Sequence, residues 1–149
     1  MNQEPLFIAS DHAGYTLKQT ISSFIEEKLD RTIIDLGPMQ HDKKDDYPDY
    51  AIPLAKKVAE TEGRGILLCG NGVGVCMAAN KINGIRAGIG YSRWAAETMR
   101  TDDNTNILCL PARALNKEQA KNIVNTWLKT DFSQAQRHQR RLNKINKIE

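Results

Sequence analysis

The stretch Gly65-Ile66-Leu67-Leu68-Cys69-Gly70-Asn71-Gly72-Val73-Gly74-Val75 constrains this chain more than any other. A short apolar run stops at a cysteine, and three glycines follow at alternate positions. Small and apolar residues, Val75-Cys76-Met77-Ala78-Ala79, come next. The pattern predicts a buried strand, a glycine-rich turn and a packed helix. In an open parallel sheet that turn lies at the carboxyl edge, where ligands bind. Free backbone N–H groups and a helix N-terminus favour an anion there. A thiol in the same place has its thiolate stabilised by the same field. One stretch therefore offers a base or nucleophile together with an anion cradle.

The remaining segments repeat the theme. Leu6-Phe7-Ile8-Ala9-Ser10 predicts a strand that ends in Asp11-His12-Ala13-Gly14. Leu17, Ile21, Phe24, Ile25 and Leu29 recur at helical spacing, so a helix is expected over 15–29. Residues 32–36 form a second strand, closed by Gly37-Pro38, and 39–46 is a polar loop without periodicity. Tyr47-Pro48 opens a helical pattern that ends at Gly63, and Pro53 places the regular start near itself. A fourth strand is expected at 86–90, a helix capped by Ser92 over 93–100, a fifth strand at 107–110 closed by Pro111, and a helix capped by Asn116 over 117–129. Alternating strands and helices, with strands too apolar to face water, define a three-layer α/β/α doubly wound, Rossmann-like parallel sheet of about five strands. The chain reads as one domain, 1–149, with an extra C-terminal helix at about 133–147. That basic segment carries Arg137, Arg140, Arg141, Lys144 and Lys147, with a narrow stripe of Leu142, Ile145 and Ile148. Arg137 and Arg141 lie four apart and share a helix face suited to a phosphate. The segment is expected to pack on a neighbouring subunit.

Composition excludes several classes. Net charge is +3, from 21 Lys+Arg against 18 Asp+Glu, too mild to imply nucleic acid. The basic tail lacks the interleaved aromatics of a nucleic-acid arm. No apolar run approaches the roughly 18 residues a membrane span needs, and the N-terminus lacks the pattern of a signal peptide. Three cysteines without a Cys-x-x-Cys pair favour a reducing cytoplasm over a disulfide framework or zinc site. Cys76 and Cys109 read as core.

The ends of the first and third strands and the 101–106 segment are expected to meet at one edge. Locally, Asp11 is equally a helix cap and His12 a loop histidine. The Gly-x-Gly-x-Gly has neither the Lys-Ser/Thr of a P-loop nor dinucleotide spacing.

Six motifs in this order span nearly the whole chain: Ser10-Asp11-His12-Ala13-Gly14, Asp46-Tyr47-Pro48-Asp49-Tyr50, Cys69-Gly70-Asn71-Gly72-Val73-Gly74, Ala78-Ala79-Asn80-Lys81, Gly84-Ile85-Arg86-Ala87 and Arg137-His138-Gln139-Arg140-Arg141. Together they resemble the type B ribose-5-phosphate isomerase family, which includes the subunits of galactose-6-phosphate isomerase. The resemblance implies interconversion of D-ribose 5-phosphate and D-ribulose 5-phosphate through a cis-enediolate, in the non-oxidative pentose phosphate pathway, with no cofactor and no metal. It makes Cys69 the base between C1 and C2, and makes Gly70, Asn71, Gly72, Val73 and Gly74 the cradle of the developing oxyanion. It places the phosphate at His12, Arg113, Arg137 and Arg141, and the sugar hydroxyls at Asp11 and Tyr47. It also implies a cytoplasmic homodimer or dimer of dimers with shared sites, and neither membrane nor nucleic-acid partners.

One segment departs from the family. The ribose-phosphate enzymes have His-Asn-Asp-x-Asn before the fifth strand, the histidine opening the furanose ring. Here Asp102 stands at the histidine position and Asp103 at the sugar-binding asparagine. A carboxylate of ordinary pKa, about 4, is a poor general acid at pH 7. Either Asp102 takes the C1 hydroxyl proton as a base, or ring opening is left to solution. The departure keeps two alternatives open: an isomerase of allose or galactose 6-phosphate, and a catalytically weak sugar-phosphate-binding protein.

Overall fold

The computed structural model describes residues 3–149. Five strands, β1 (Leu6–Ser10), β2 (Ile34–Asp35), β3 (Arg64–Cys69), β4 (Ala87–Ile89) and β5 (Ile107–Pro111), form one parallel sheet in the order β2-β1-β3-β5-β4. Six helices connect or follow them: α1 (Tyr15–Lys28), α2 (Pro48–Thr61), α3 (Val73–Asn80), α4 (Arg93–Thr101), α5 (Lys117–Lys129) and α6 (Gln136–Asn146).

Strand alternation sorts the core into two layers, because successive side chains point to opposite faces. Leu6, Ile8, Ile66, Leu68, Leu108 and Leu110 face one way and pack on α1, α4 and α5. Phe7, Ala9, Leu67, Cys69, Ile107 and Cys109 face the other and pack on α2 and α3. Both sheet faces are covered, as the continuous apolar strands require. Trp127 of α5 is fully buried, and its indole N–H donates to Thr105 Oγ1 at 2.9 Å, tying α5 to the loop ahead of β5.

Caps account for the helix boundaries. Asn116 and Gln119 form a reciprocal capping box at the start of α5. Ser92 Oγ accepts from Ala95 N–H at 3.1 Å at the start of α4. Three boundaries differ from the sequence expectation. α2 begins at Pro48 and runs through Pro53, which sits on its exposed face, where water can satisfy the carbonyl that the missing N–H leaves free. β2 shrinks to two residues at the sheet edge, where it has one partner strand. α6 starts at Gln136, and the residues before it are irregular.

The chain order reverses between β1 and β3. Its first crossover leads outward to β2 and the next returns to β3 on the other side. The carboxyl ends of these two strands form the crevice in which open α/β sheets hold ligands.

Candidate active site

Three strand ends converge at the switch point. Ser10 pairs in register with Leu68, and Cys69 with Pro111. Asp11 N–H donates to Leu68 O at 3.2 Å, Ala112 N–H to Cys69 O at 2.9 Å, and Arg113 N–H to Gly70 O at 3.0 Å. The ladder thus sets Asp11, Cys69-Gly70 and Arg113 side by side. A cleft of about 420 Å³ opens between them, lined by Asp11, Tyr47, Cys69, Gly70, Asn71 and Arg113 among others. That volume lies in the range of small-ligand sites.

The Cys69 thiol ends β3 almost fully buried, with Sγ 3.8 Å from Asn71 Oδ1. Gly72 has φ +74°, a left-handed turn that swings the chain into α3. The amides of Asn71, Gly72 and Gly74 donate to no other group among the described residues. Val73 N–H is taken by Asn71 Oδ1 at 3.0 Å. The cradle therefore presents free donors, with one expected member occupied by a side chain of the loop itself. Gly74 faces Tyr47 so closely that a Cβ there would lie 2.5 Å from the Tyr47 Cζ. This contact fixes the Tyr47 ring against the first turn of α3.

Asp11 does both things its sequence position allowed. Its Oδ1 accepts from Gly14 N–H at 3.1 Å, capping the 3-10 turn His12–Gly14, and its side chain also lines the cleft. His12 is half-buried and paired with Asp45, whose Oδ1 lies 2.7 Å from the His12 Nδ1. Ligand-type atoms of Asp11, His12 and Asp45 lie within 4.8 Å of one another. Two of these groups are already committed to protein donors. The Asp45 contact was missed in the sequence, where it falls in an aperiodic polar loop. Arg113 pairs with no carboxylate among the described residues, leaving a cation beside the Gly70 backbone.

The 101–106 segment lies elsewhere. It precedes β5 in a parallel sheet, so it sits at the amino edge: Gly65 N–H donates to Asn106 O, and Asn106 N–H to Arg86 O. The expectation that it meets the other strand ends within one chain is corrected by this topology, since β5 alone separates the two edges by about 15 Å. The C-terminal helix goes with it. Ser133 N–H donates to Thr101 O, His138 Nε2 lies 3.7 Å from Asp102 Oδ1, and Glu149 Oε1 accepts from Gly84 N–H. Burial, and then Asp102, push the Asp103 carboxyl above the usual range, while His138 and Arg141 act in the opposite sense. Burial also raises the Cys109 thiol well above its ordinary value, in keeping with a core role. Each chain thus carries two separate groups: Cys69, its loop, Asp11, His12, Tyr47 and Arg113 at the carboxyl edge, and Asp102, Asp103, Arg137 and Arg141 at the amino edge.

A buried thiol beside free helix-start amides, with an acid, a phenol and a cation around a sugar-sized cleft, defines a class: a sugar-phosphate isomerase on a doubly wound sheet. The chain belongs to the ribose/galactose isomerase family, whose model matches residues 6–145. A probable ribose-5-phosphate isomerase B from Mycoplasma genitalium is 46% identical over 146 residues, covering 97% of this chain and 95% of its own. The crystal structure of ribose-5-phosphate isomerase B from that organism with bound ribulose-5-phosphate superposes with a TM-score of 0.92 at 45% identity, over 97% of this chain and 95% of that one. A D-erythrulose-4-phosphate isomerase from Pectobacterium atrosepticum is 37% identical over 126 residues, covering 84% of this chain and 82% of its own.

Proposed function

We infer that this chain, acting as one isomerase domain, interconverts D-ribose 5-phosphate and D-ribulose 5-phosphate. The observation that carries this reading is the Cys69 thiol at the mouth of a loop with free amides, in a chain so close to named ribose-5-phosphate isomerases.

In the aldose-to-ketose direction, the Cys69 thiolate takes the proton from C2. The C–H electron pair forms the C1–C2 double bond, and the carbonyl pair moves onto O1. The amides of Gly70, Asn71, Gly72 and Gly74 receive the oxyanion that develops there, and Val73 joins them if Asn71 releases its N–H. The O2 proton passes to O1, and the thiol returns its proton to C1, giving the ketose. Asp11 and Tyr47 hold the sugar hydroxyls, and His12 and Arg113 hold the phosphate.

The remaining groups enter from a second copy. Asp102, Asp103, Arg137 and Arg141 lie at the far edge of their own chain, so in this reading they complete the site of a partner. Exposed apolar side chains support such docking: Val73 and Met77 beside the thiol loop, Tyr91 and Trp94 at the start of α4, Ile145 on α6 and Ile148 just after it.

A second reading keeps the chemistry and changes the sugar. It is favoured by Asp102-Asp103 standing at the family's His-Asn positions and by a close relative named for a four-carbon substrate. Such a substrate has no stable furanose phosphate ring to open. The discriminating experiment is a panel of ribose, ribulose, erythrulose, allose and galactose phosphates assayed with the wild type and Cys69→Ala. Ribose 5-phosphate turnover that disappears in Cys69→Ala is expected, and turnover that survives the change removes the thiol from the mechanism.

A further inference from the structure

A second cavity of about 420 Å³ lies at the amino edge of the sheet, on the side opposite the Cys69 cleft. Three arginines from different elements line it: Arg64 at the start of β3, Arg86 just before β4 and Arg100 near the end of α4. Their guanidiniums are held rigidly. Arg64 Nε pairs with Glu4, and its Nη1 faces the α5 carbonyls of Trp127 and Leu128. Arg86 Nε donates to Asn104 O at 2.8 Å. Arg100 donates through Nε to Thr130 O at 3.2 Å and through Nη1 to Asn104 Oδ1 and Thr105 O.

Two features exceed what a scaffold needs. First, Nη2 of all three guanidiniums has no hydrogen-bond partner among the described residues, and none of these atoms is among the buried polar atoms left without a partner. Second, neither Arg86 nor Arg100 has a carboxylate within ion-pair distance among the described residues. Arg100 is almost fully buried, and that burial, with Arg64 and Arg86 close by, lowers its pKa to about 10. In the lining, three guanidiniums face two carboxylates: Glu4, which is held by Arg64, and the exposed Glu62; Glu149 and Asp131 offset Arg86 and Arg100 in part from nearby. Like charges gathered out of water are costly unless a counter-ion is brought in.

We propose that this amino-edge cavity is a second anion site that takes a small phosphate group, as inorganic phosphate or a phosphate monoester, on the three free Nη2 groups. Tetrahedral oxyanions suit convergent guanidinium donors. The volume holds the ester portion as well as the phosphate. The site has a connection to the isomerase groups: Arg100 and Asn104 belong to the turn that presents Asp102 and Asp103, with Asn104 N–H donating to Arg100 O. An anion here stiffens the turn that the partner's active site uses. The site itself does not depend on the isomerase reading.

Calorimetric titration of inorganic phosphate into the full chain tests it. Two classes of phosphate site per chain are expected. Arg137→Ala/Arg141→Ala weakens one, and Arg86→Gln weakens the other by about tenfold or more, the loss of one charge-assisted contact. Asn83→Asp places a negative charge on the exposed rim without touching an arginine, and weakens the same class. It decides the matter alone if Arg86→Gln does not fold. A single class per chain, or a second class that keeps its affinity in the folded variants, overturns the proposal.

Discussion

Asp45 Oδ1 holds His12 twice: it accepts from the His12 backbone N–H at 3.1 Å and lies 2.7 Å from the ring Nδ1. The Asp45 side chain is 5% exposed, and its second oxygen has no hydrogen-bond partner among the described residues. A buried carboxylate on one ring nitrogen fixes the imidazole's orientation and leaves Nε2 as the ring nitrogen available to the phosphate in the proposed reading. Asp45→Asn is therefore expected to raise KM for the sugar phosphate by about tenfold, the scale of one charge-assisted hydrogen bond, with kcat changed much less. Steady-state kinetics measure the split. In a double-mutant cycle with His12→Ala, the Asp45 change should cost little further, because its effect runs through the ring. An equal fall in kcat would instead place Asp45 in the chemical step.

The contact of Gly74 with Tyr47 leads to a stability prediction. A Cβ at position 74 would lie 2.5 Å from the Tyr47 Cζ and 2.8 Å from both Cε atoms. Gly74→Ala must push the ring aside, at about 1–3 kcal/mol for overpacking. Urea denaturation should show that loss, and adding Tyr47→Ala should recover most of it by vacating the space. Activity should fall in both variants, because the ring lines the Cys69 cleft. Full stability in Gly74→Ala would mean that the Tyr47 ring is not held as described.

How much of this was legible in the sequence differs between the two edges of the sheet. Apolar runs of β1, β3 and β5 end at Asp11, Cys69-Gly70 and Pro111, and hydrophobic pattern with turn chemistry suffices to find them. Caps at Ser92 and Asn116 were equally plain. Asp45 was not, because a buried carboxylate in a polar loop has no periodicity to mark it. The 101–106 segment was misplaced for a different reason. Its polar residues suggested a site, but a segment ahead of a parallel strand lies at the amino edge whatever its composition. The three-arginine cavity was invisible, since Arg64, Arg86 and Arg100 are brought together only by sheet order.

The Asp103 carboxyl carries a pH signature. Its pKa in the fold is raised, first by burial and then by Asp102. The folded state therefore binds the proton more tightly than the unfolded chain, whose value is about 3.9. The sign follows from linkage: the contribution of this group to stability falls as pH rises from the unfolded value through the raised folded one, and stays low above it. Asp103→Asn removes an ionising group that the fold disfavours. Thermal melts should show a higher Tm for the variant at pH 7, with the gain vanishing below about pH 4, where both states are protonated. A lower Tm at pH 7 would mean that Asp103 pairs favourably with Arg141 and His138 in the folded chain.

The division of site residues between two sheet edges gives the sharpest test of the proposed shared site. Cys69→Ala and Arg137→Ala/Arg141→Ala each remove one half of it, and each variant alone should be nearly inactive. In a two-fold dimer every site takes the thiol from one chain and the arginines from the other. A mixed dimer of the two variants then contains one site with both defects and one with neither. Random exchange makes about half the dimers mixed, so about one quarter of wild-type activity should return on mixing. The measurement is activity after co-refolding or co-expression, with each variant alone as control. A chain that assembles its site entirely from itself gives no recovery at any ratio, because every site keeps the defect of its own chain. The α4–β5 turn and α6 hold Asp102 and Arg141 at the amino edge, while β3 delivers Cys69 to the other. Recovery of activity is therefore the outcome this geometry requires if both halves act on one substrate.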